Sequence, residues 1–180
     1  MLRSGLVCWL MVLAPLGCDS KRDAPKPEPA SPSATAISDV QFPPRFVRGP
    51  TGGADVASFV RDKLEEANTA QQAGKAGYTR VVVYVGATWC EPCQYFHHAV
   101  TEGKLDRELD GVTFLEFDLD QDRDALASAG YASRMIPLFA LPDASGRGTD
   151  QRISGSIKGP GATANITPRL HSLLAGRPTE

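Results

Sequence analysis

The chain has 180 residues, enough for one domain with little left for a second. Its 19 Lys and Arg nearly balance 21 Asp and Glu, so no basic surplus points to nucleic acid and no acidic run to a solvating tail. Hydrophobic residues make up 42%, and with Cys8 and Cys18 near the N-terminus the rest of the chain keeps a single close pair, Cys90 and Cys93, which is neither a disulfide framework nor a structural zinc site.

Residues 1–17 read as a secretory signal peptide. Arg3 supplies a short positive region, and Leu6 to Leu16 is an apolar stretch too short to cross a bilayer as a helix. Gly17-Cys18 closes it and resembles the bacterial lipoprotein lipobox, although Pro15 and Leu16 stand where that pattern has an aliphatic and a small residue. The resemblance implies that Cys18 is lipidated and becomes the mature N-terminus. Residues 18–50 are then a lipid anchor and a disordered linker. Seven prolines from Pro25 to Pro50, interleaved with Lys, Ala and Ser, leave too little apolar area to offset the entropy of ordering. As a coil the linker reaches roughly 30 Å. Phe42, Phe46 and Val47 give Gln41–Val47 the alternative of packing on the domain.

From 51 to 178 the pattern is that of one α/β domain. Val56, Phe59, Val60, Leu64 and Ala67 recur at helical spacing over 55–73, with Gly74 at the end. Arg80 to Val85 is a β-branched run that predicts a buried central strand. Residues 91–108 read as a helix that Gly103 bends, Val112–Leu119 as a strand, and Asp122–Ala129 as a short helix. Pro137–Leu141 reads as a strand that turns at Asp143-Ala144-Ser145-Gly146, and Gln151–Ile157 as another. Thr167-Pro168 has the form of a helix start, with Leu170, Leu173 and Leu174 as the apolar face. Helices alternating with strands imply a parallel sheet core, to which the late strand pair adds an antiparallel hairpin.

The chemistry concentrates in Val81-Val82-Val83-Tyr84-Val85-Gly86-Ala87-Thr88-Trp89-Cys90-Glu91-Pro92-Cys93. A cysteine at a helix N-terminus faces unpaired N–H groups and the positive end of the helix dipole, which favour the thiolate. Cys90 is thereby expected to be the exposed nucleophile. Cys93, one turn on and more buried, is expected to resolve the mixed disulfide. Pro92 fits a first turn, where a missing N–H costs little.

The segment from about Asp55 to Ala175 resembles the thioredoxin superfamily. Trp89-Cys90-Glu91-Pro92-Cys93 matches its WCxxC site. Phe117-Asp118-Leu119-Asp120-Gln121 resembles the end of its next strand, and Tyr131–Pro137 the approach to its cis-proline. The resemblance implies a thioredoxin fold, a mixed central sheet with flanking helices. It also implies a cis Ile136-Pro137 peptide beside the disulfide, with Trp89, Ile136 and Pro137 binding substrate. No bound cofactor and no metal are expected. The partners are protein dithiols or disulfides and an upstream membrane electron donor. The chain is expected to act as a monomer on the periplasmic side of the cell envelope, most simply as a reductase or reducing shuttle. An oxidase or isomerase on the same site, or a non-catalytic binding module, are the rival readings.

Three positions depart from the family pattern. Tyr84 stands where thioredoxins carry a buried acid, and Glu116 where the next strand often offers a lysine, so Glu116 becomes the candidate for assisting Cys93 deprotonation. His98 stands where the family has a helix-kinking proline. His97, four residues after Cys93, shares its helical face and reads as a surface or packing residue more readily than as a ligand for a soft metal.

Overall fold

A computed structural model describes residues 41–52 and 54–177, all within one compact unit, Ser38–Glu180. The signal peptide expected at 1–17, Cys18 and the linker as far as residue 40 lie outside the described residues. The elements in chain order are β1 (Arg45–Arg48), α1 (Val56–Gln72), β2 (Arg80–Gly86), α2 (Glu91–Thr101), β3 (Val112–Asp118), α3 (Leu119–Ser128), β4 (Leu138–Pro142), β5 (Gly148–Ser154) and α4 (Ala162–Leu174).

The strands lie in the order β1-β3-β2-β4-β5. β1, β3 and β2 run parallel, while β4 is antiparallel to β2 and to β5. β2 is central, and its side chains alternate between two cores. Val82 and Tyr84 join Phe96, Phe114, Phe139, Ile166 and Leu170 under α2 and α4. Val81, Val83 and Val85 join Val56, Val60, Leu115, Phe117 and Leu126 under α1 and α3. A strand buried on both faces reads as an unbroken apolar run, which is why this one stood out in the sequence. Phe96 packs edge-on against both Phe114 (5.5 Å between centroids) and Phe139 (4.8 Å). Each such pair adds about 0.5–1.5 kcal/mol beyond its buried area. A five-stranded mixed sheet with two helices on each face is the thioredoxin fold that the motifs implied.

Five boundaries differ from the sequence reading. First, β1 comes from the stretch assigned to linker at 18–50. Phe46 reaches the α2/α4 core and Val47 the α1/α3 core, so this short strand is held by burying a side chain on each face. The packing alternative for Gln41–Val47 is the one the structure takes. Second, α2 stops at Thr101 rather than near 108. Gly103, at φ 73°, adopts the left-handed conformation that ends a helix, so it terminates α2 instead of bending it. Third, α3 begins at Leu119. Asp118 caps it, with Oδ1 accepting from the N–H groups of Asp120 (2.9 Å) and Gln121 (3.2 Å). Fourth, α4 begins at Ala162, and Pro168 lies inside it. Ala162, Ile166, Leu170 and Leu173 form a continuous buried stripe whose packing outweighs the local break. β5 starts at Gly148, earlier than 151, because the Asp143 carboxylate accepts from the N–H groups of Ser145 (2.8 Å) and Arg147 (3.0 Å) and closes the hairpin tightly.

Candidate active site

β2 ends at Gly86, and a short turn carries the chain through Trp89 to Cys90, the N-cap of α2. The N–H of Cys90 donates to the Ala87 carbonyl at 3.1 Å. The Cys90 sulfur in turn accepts from the N–H of Cys93 at 3.3 Å, as a capping side chain does. Glu91 and Pro92 fill the first turn. Cys90 and Cys93 are joined in a disulfide, with Cα atoms 5.2 Å apart. Both sulfurs therefore sit at the positive end of α2, where a thiolate is favoured once the bond is reduced.

The expected contrast in exposure is absent from this oxidised form: Cys90 is 4% exposed and Cys93 3%. The bond folds the Cys90 side chain over the helix end toward Cys93, and the capping contact holds it there. What distinguishes the two is that Cys93, and not Cys90, lines a cavity on one side of α2.

Trp89 is 63% exposed, and its indole N–H donates to Asp120 Oδ2 at 2.7 Å. The Ile136-Pro137 peptide is cis, as the resemblance implied. Ile136 packs against the core cluster that holds both cysteines. Met135, just before it, is 59% exposed. The Pro137 carbonyl accepts from the N–H of Gly155 at 2.9 Å, and Ile157, two residues further, is 54% exposed. The sequence reading named Trp89, Ile136 and Pro137 but passed over Met135 as a contact residue, and it placed Ile157 in a strand.

Behind α2 the arrangement is polar. Tyr84 is buried, and its hydroxyl donates to the Cys93 carbonyl at 3.4 Å. A Cβ on Gly86 would stand 2.8 Å from that hydroxyl, so the glycine leaves it room. Burial, and then the nearby Glu116 charge, push the Tyr84 hydroxyl far above its ordinary pKa and keep it protonated. Parallel register sets Glu116 beside Tyr84. Glu116 Oε1 lies 3.5 Å from His97 Nε2, and the His97 ring stacks on Phe46 at 4.2 Å between centroids. A cavity of about 720 Å³ opens here, with Cys93, Tyr84, His97 and Glu116 on its wall. Sequence reasoning chose Glu116 and weighed His97 separately; the fold brings them together. His98 points elsewhere, to Glu102 at 2.9 Å. Among the described residues no cluster of three His, Cys, Asp or Glu side chains is disposed to hold a metal.

No family model matches the chain, and no curated protein does. Similar solved structures include the thioredoxin of Trichomonas vaginalis, at 20% identity and TM-score 0.44 over 75% of this chain and 98% of that one. Another is a mutant thioredoxin from Halobacterium salinarum NRC-1, at 21% identity and TM-score 0.38 over 77% and 95%. The fold follows from the chain's own sheet order, and it is a thioredoxin-like fold. Such a fold with a bonded cysteine pair at the start of α2 supports thiol–disulfide redox activity.

Proposed function

We propose that this protein exchanges disulfides with protein partners in the bacterial cell envelope, as a reductase or reducing shuttle. Cys90 attacks the partner's disulfide, Cys93 resolves the mixed disulfide, and the two end as the observed bond. The observation that carries this reading is that bond, placed at the N-terminus of α2 with Cys93 on the wall of a cavity. Trp89, Met135 and Ile157 offer exposed apolar area to a partner segment, and the backbone of Ile136, next to Met135, is available for strand-like pairing in this reading.

Glu91 supports the reducing direction. An acid next to Cys90 opposes the thiolate, whereas oxidases of this superfamily stabilise the thiolate strongly. One exposed charge contributes little, so the direction is a measurable matter. In this reading the signal peptide and Cys18 carry the domain to the periplasmic side of a membrane and hold it there by lipid. An upstream membrane donor keeps the pair reduced in an otherwise oxidising compartment. Among the described residues no helix is long and apolar enough to cross a membrane, so the proposed anchorage rests on Cys18.

Insulin reduction by dithiothreitol tests the reading. The protein is expected to accelerate it, and Cys90→Ser to abolish the acceleration; equal rates in both would leave a binding module. The reduction potential of the pair fixes the direction, near about −270 mV for a reductase and near about −120 mV for an oxidase.

A further inference from the structure

Three strand ends meet where the chain turns toward Cys90. Val85 pairs with Leu138, and Leu138 with Ser154. The end of β2, the start of β4 after Pro137 and the end of β5 before Gly155 therefore lie side by side. Gly155 joins the last two segments. Its N–H donates to the Pro137 carbonyl at 2.9 Å, and a Cβ built on it would stand 3.3 Å from the Met135 Cβ. The loop after β5 is held from α4. The Arg169 guanidinium donates to the carbonyls of Gly155 (2.8 Å) and Ser154 (3.0 Å), and Asn165 Oδ1 accepts from the Ser156 hydroxyl at 3.1 Å. A surface fixed in this way costs less ordering when a partner docks.

The charge at this end of the sheet is uneven. Exposed Met135 has exposed Arg134 as its chain neighbour, and exposed Ile157 has exposed Lys158. Among the described residues neither cation has an ion-pair or hydrogen-bond partner for its side chain. Residues 125–142 and 151–179 contain no Asp or Glu. Asp143 and Asp150 lie toward the other end of the β4–β5 hairpin. Asp118 and Asp120 follow β3, which flanks β2 on the side away from β4, and Asp120 accepts from the Trp89 indole. Glu91 is in the first turn of α2. The β3 flank is thus acidic and the β4–β5 flank basic.

We propose that Met135 and Ile157, with Arg134 and Lys158 beside them, form a docking surface for acidic partner segments, whose carboxylates near the reactive disulfide meet the two cations. The proposal rests on the disulfide-exchange reading and names a substrate class for it. Apolar contact supplies the area, and the two charges select the partner and its orientation. In the exchange the dithiol gives two electrons and two protons to the partner's disulfide. The partner ends with two thiols, and Cys90 and Cys93 end bonded to each other.

The test uses the full chain, reduced beforehand, and three synthetic peptides with one internal disulfide each. They are identical except that the residues flanking the disulfide loop are all Glu, all Gln or all Lys. Acid-quenched time courses read by mass follow formation of the Cys90–Cys93 bond at rising peptide concentration. The half-saturating concentration is expected to be about tenfold lower for the Glu peptide than for the Lys peptide, with Gln between them. The limiting rate carries the peptides' own thiol chemistry and is compared separately. In roughly 1 M salt the preference is expected to collapse. The chain's net charge of −2 works against an acidic partner, so the preference reports these local cations and not the overall field. Arg134→Gln with Lys158→Gln is expected to remove the preference, and Arg134→Glu with Lys158→Glu to reverse it, the urea midpoint showing that each variant is folded. Equal half-saturation by the three peptides, tighter binding of the Lys peptide, or a preference that survives in the neutral variant would overturn the proposal. Oxidation of the unaltered protein by the small neutral hydroxyethyl disulfide would then still uphold the exchange reading. Failure of that disulfide and of every peptide to oxidise the pair would remove both.

Discussion

Cys90 and Cys93 are equally covered in the bonded state, so their different roles must come from what opens when the bond is reduced. Reduction frees the Cys90 side chain from Cys93, at the N-cap of α2 and next to the exposed Trp89. Cys93 stays under α2, its N–H committed to the Cys90 sulfur and its carbonyl to Tyr84. Limiting iodoacetamide applied to the reduced protein should therefore modify Cys90 at least about tenfold faster than Cys93, the order read by peptide mass mapping. Modification of Cys93 first would exchange the two roles. The pair itself was legible in the sequence because two cysteines at that spacing follow an apolar strand. Glu116 was legible through the family resemblance, as a candidate for assisting Cys93, and His97 only as a helical neighbour. Their meeting depends on β3 lying beside β2 in parallel register and on β1 supplying Phe46, which no local pattern encodes. Asp120 as the partner of the Trp89 indole was hidden for the same reason: the two are joined across the tops of two strands.

At the scale of elements, local signals and packing disagree most openly in α4. Thr167-Pro168 has the form of a helix start, yet the helix has already run from Ala162. Pro168 leaves the Ala164 carbonyl without its usual N–H donor, while the Thr167 hydroxyl donates to the Thr163 carbonyl at 2.9 Å. The buried stripe Ala162, Ile166, Leu170, Leu173 holds the helix through this break. Pro168→Ala should accordingly raise stability by about 1–2 kcal/mol, the restored helix bond and propensity exceeding the entropy proline removes from the unfolded chain. Urea denaturation reads this as a higher midpoint at unchanged slope; a lower midpoint would mean that the proline ring itself packs usefully. The elements whose own residues dominate, α1 with its Asp55 cap and β2 with its valine run, were readable within a residue or two. The ends of α2 and the starts of α3 and β5 were set by a glycine and two aspartates, whose turn chemistry was visible but not its exact register.

For the whole molecule, the chain enters the sheet at one end and places its disulfide at the other. The Phe42 N–H donates to Asp110 Oδ1 at 2.6 Å, its carbonyl accepts from the Gly111 N–H at 2.7 Å, and its ring meets Tyr78 edge-on. Asp110, Gly111 and Tyr78 all precede β3 or β2, whereas Cys90 follows the far end of β2. A seven-residue strand separates those ends by about 23 Å. Phe42 thus lies at the end of the sheet opposite the disulfide. β1 itself belongs to the domain. Phe46 touches the rings of Tyr84, Phe96, His97 and Phe114, and without it one edge of the main core opens. Starting the chain at residue 41 should therefore leave both the urea midpoint and the rate of exchange with glutathione unchanged. Starting it at 50 removes β1, and the loss should exceed that of Phe46→Ala in the full chain, about 2–4 kcal/mol. Equal stability of the two shortened chains would return residues 41–49 to the role of a linker.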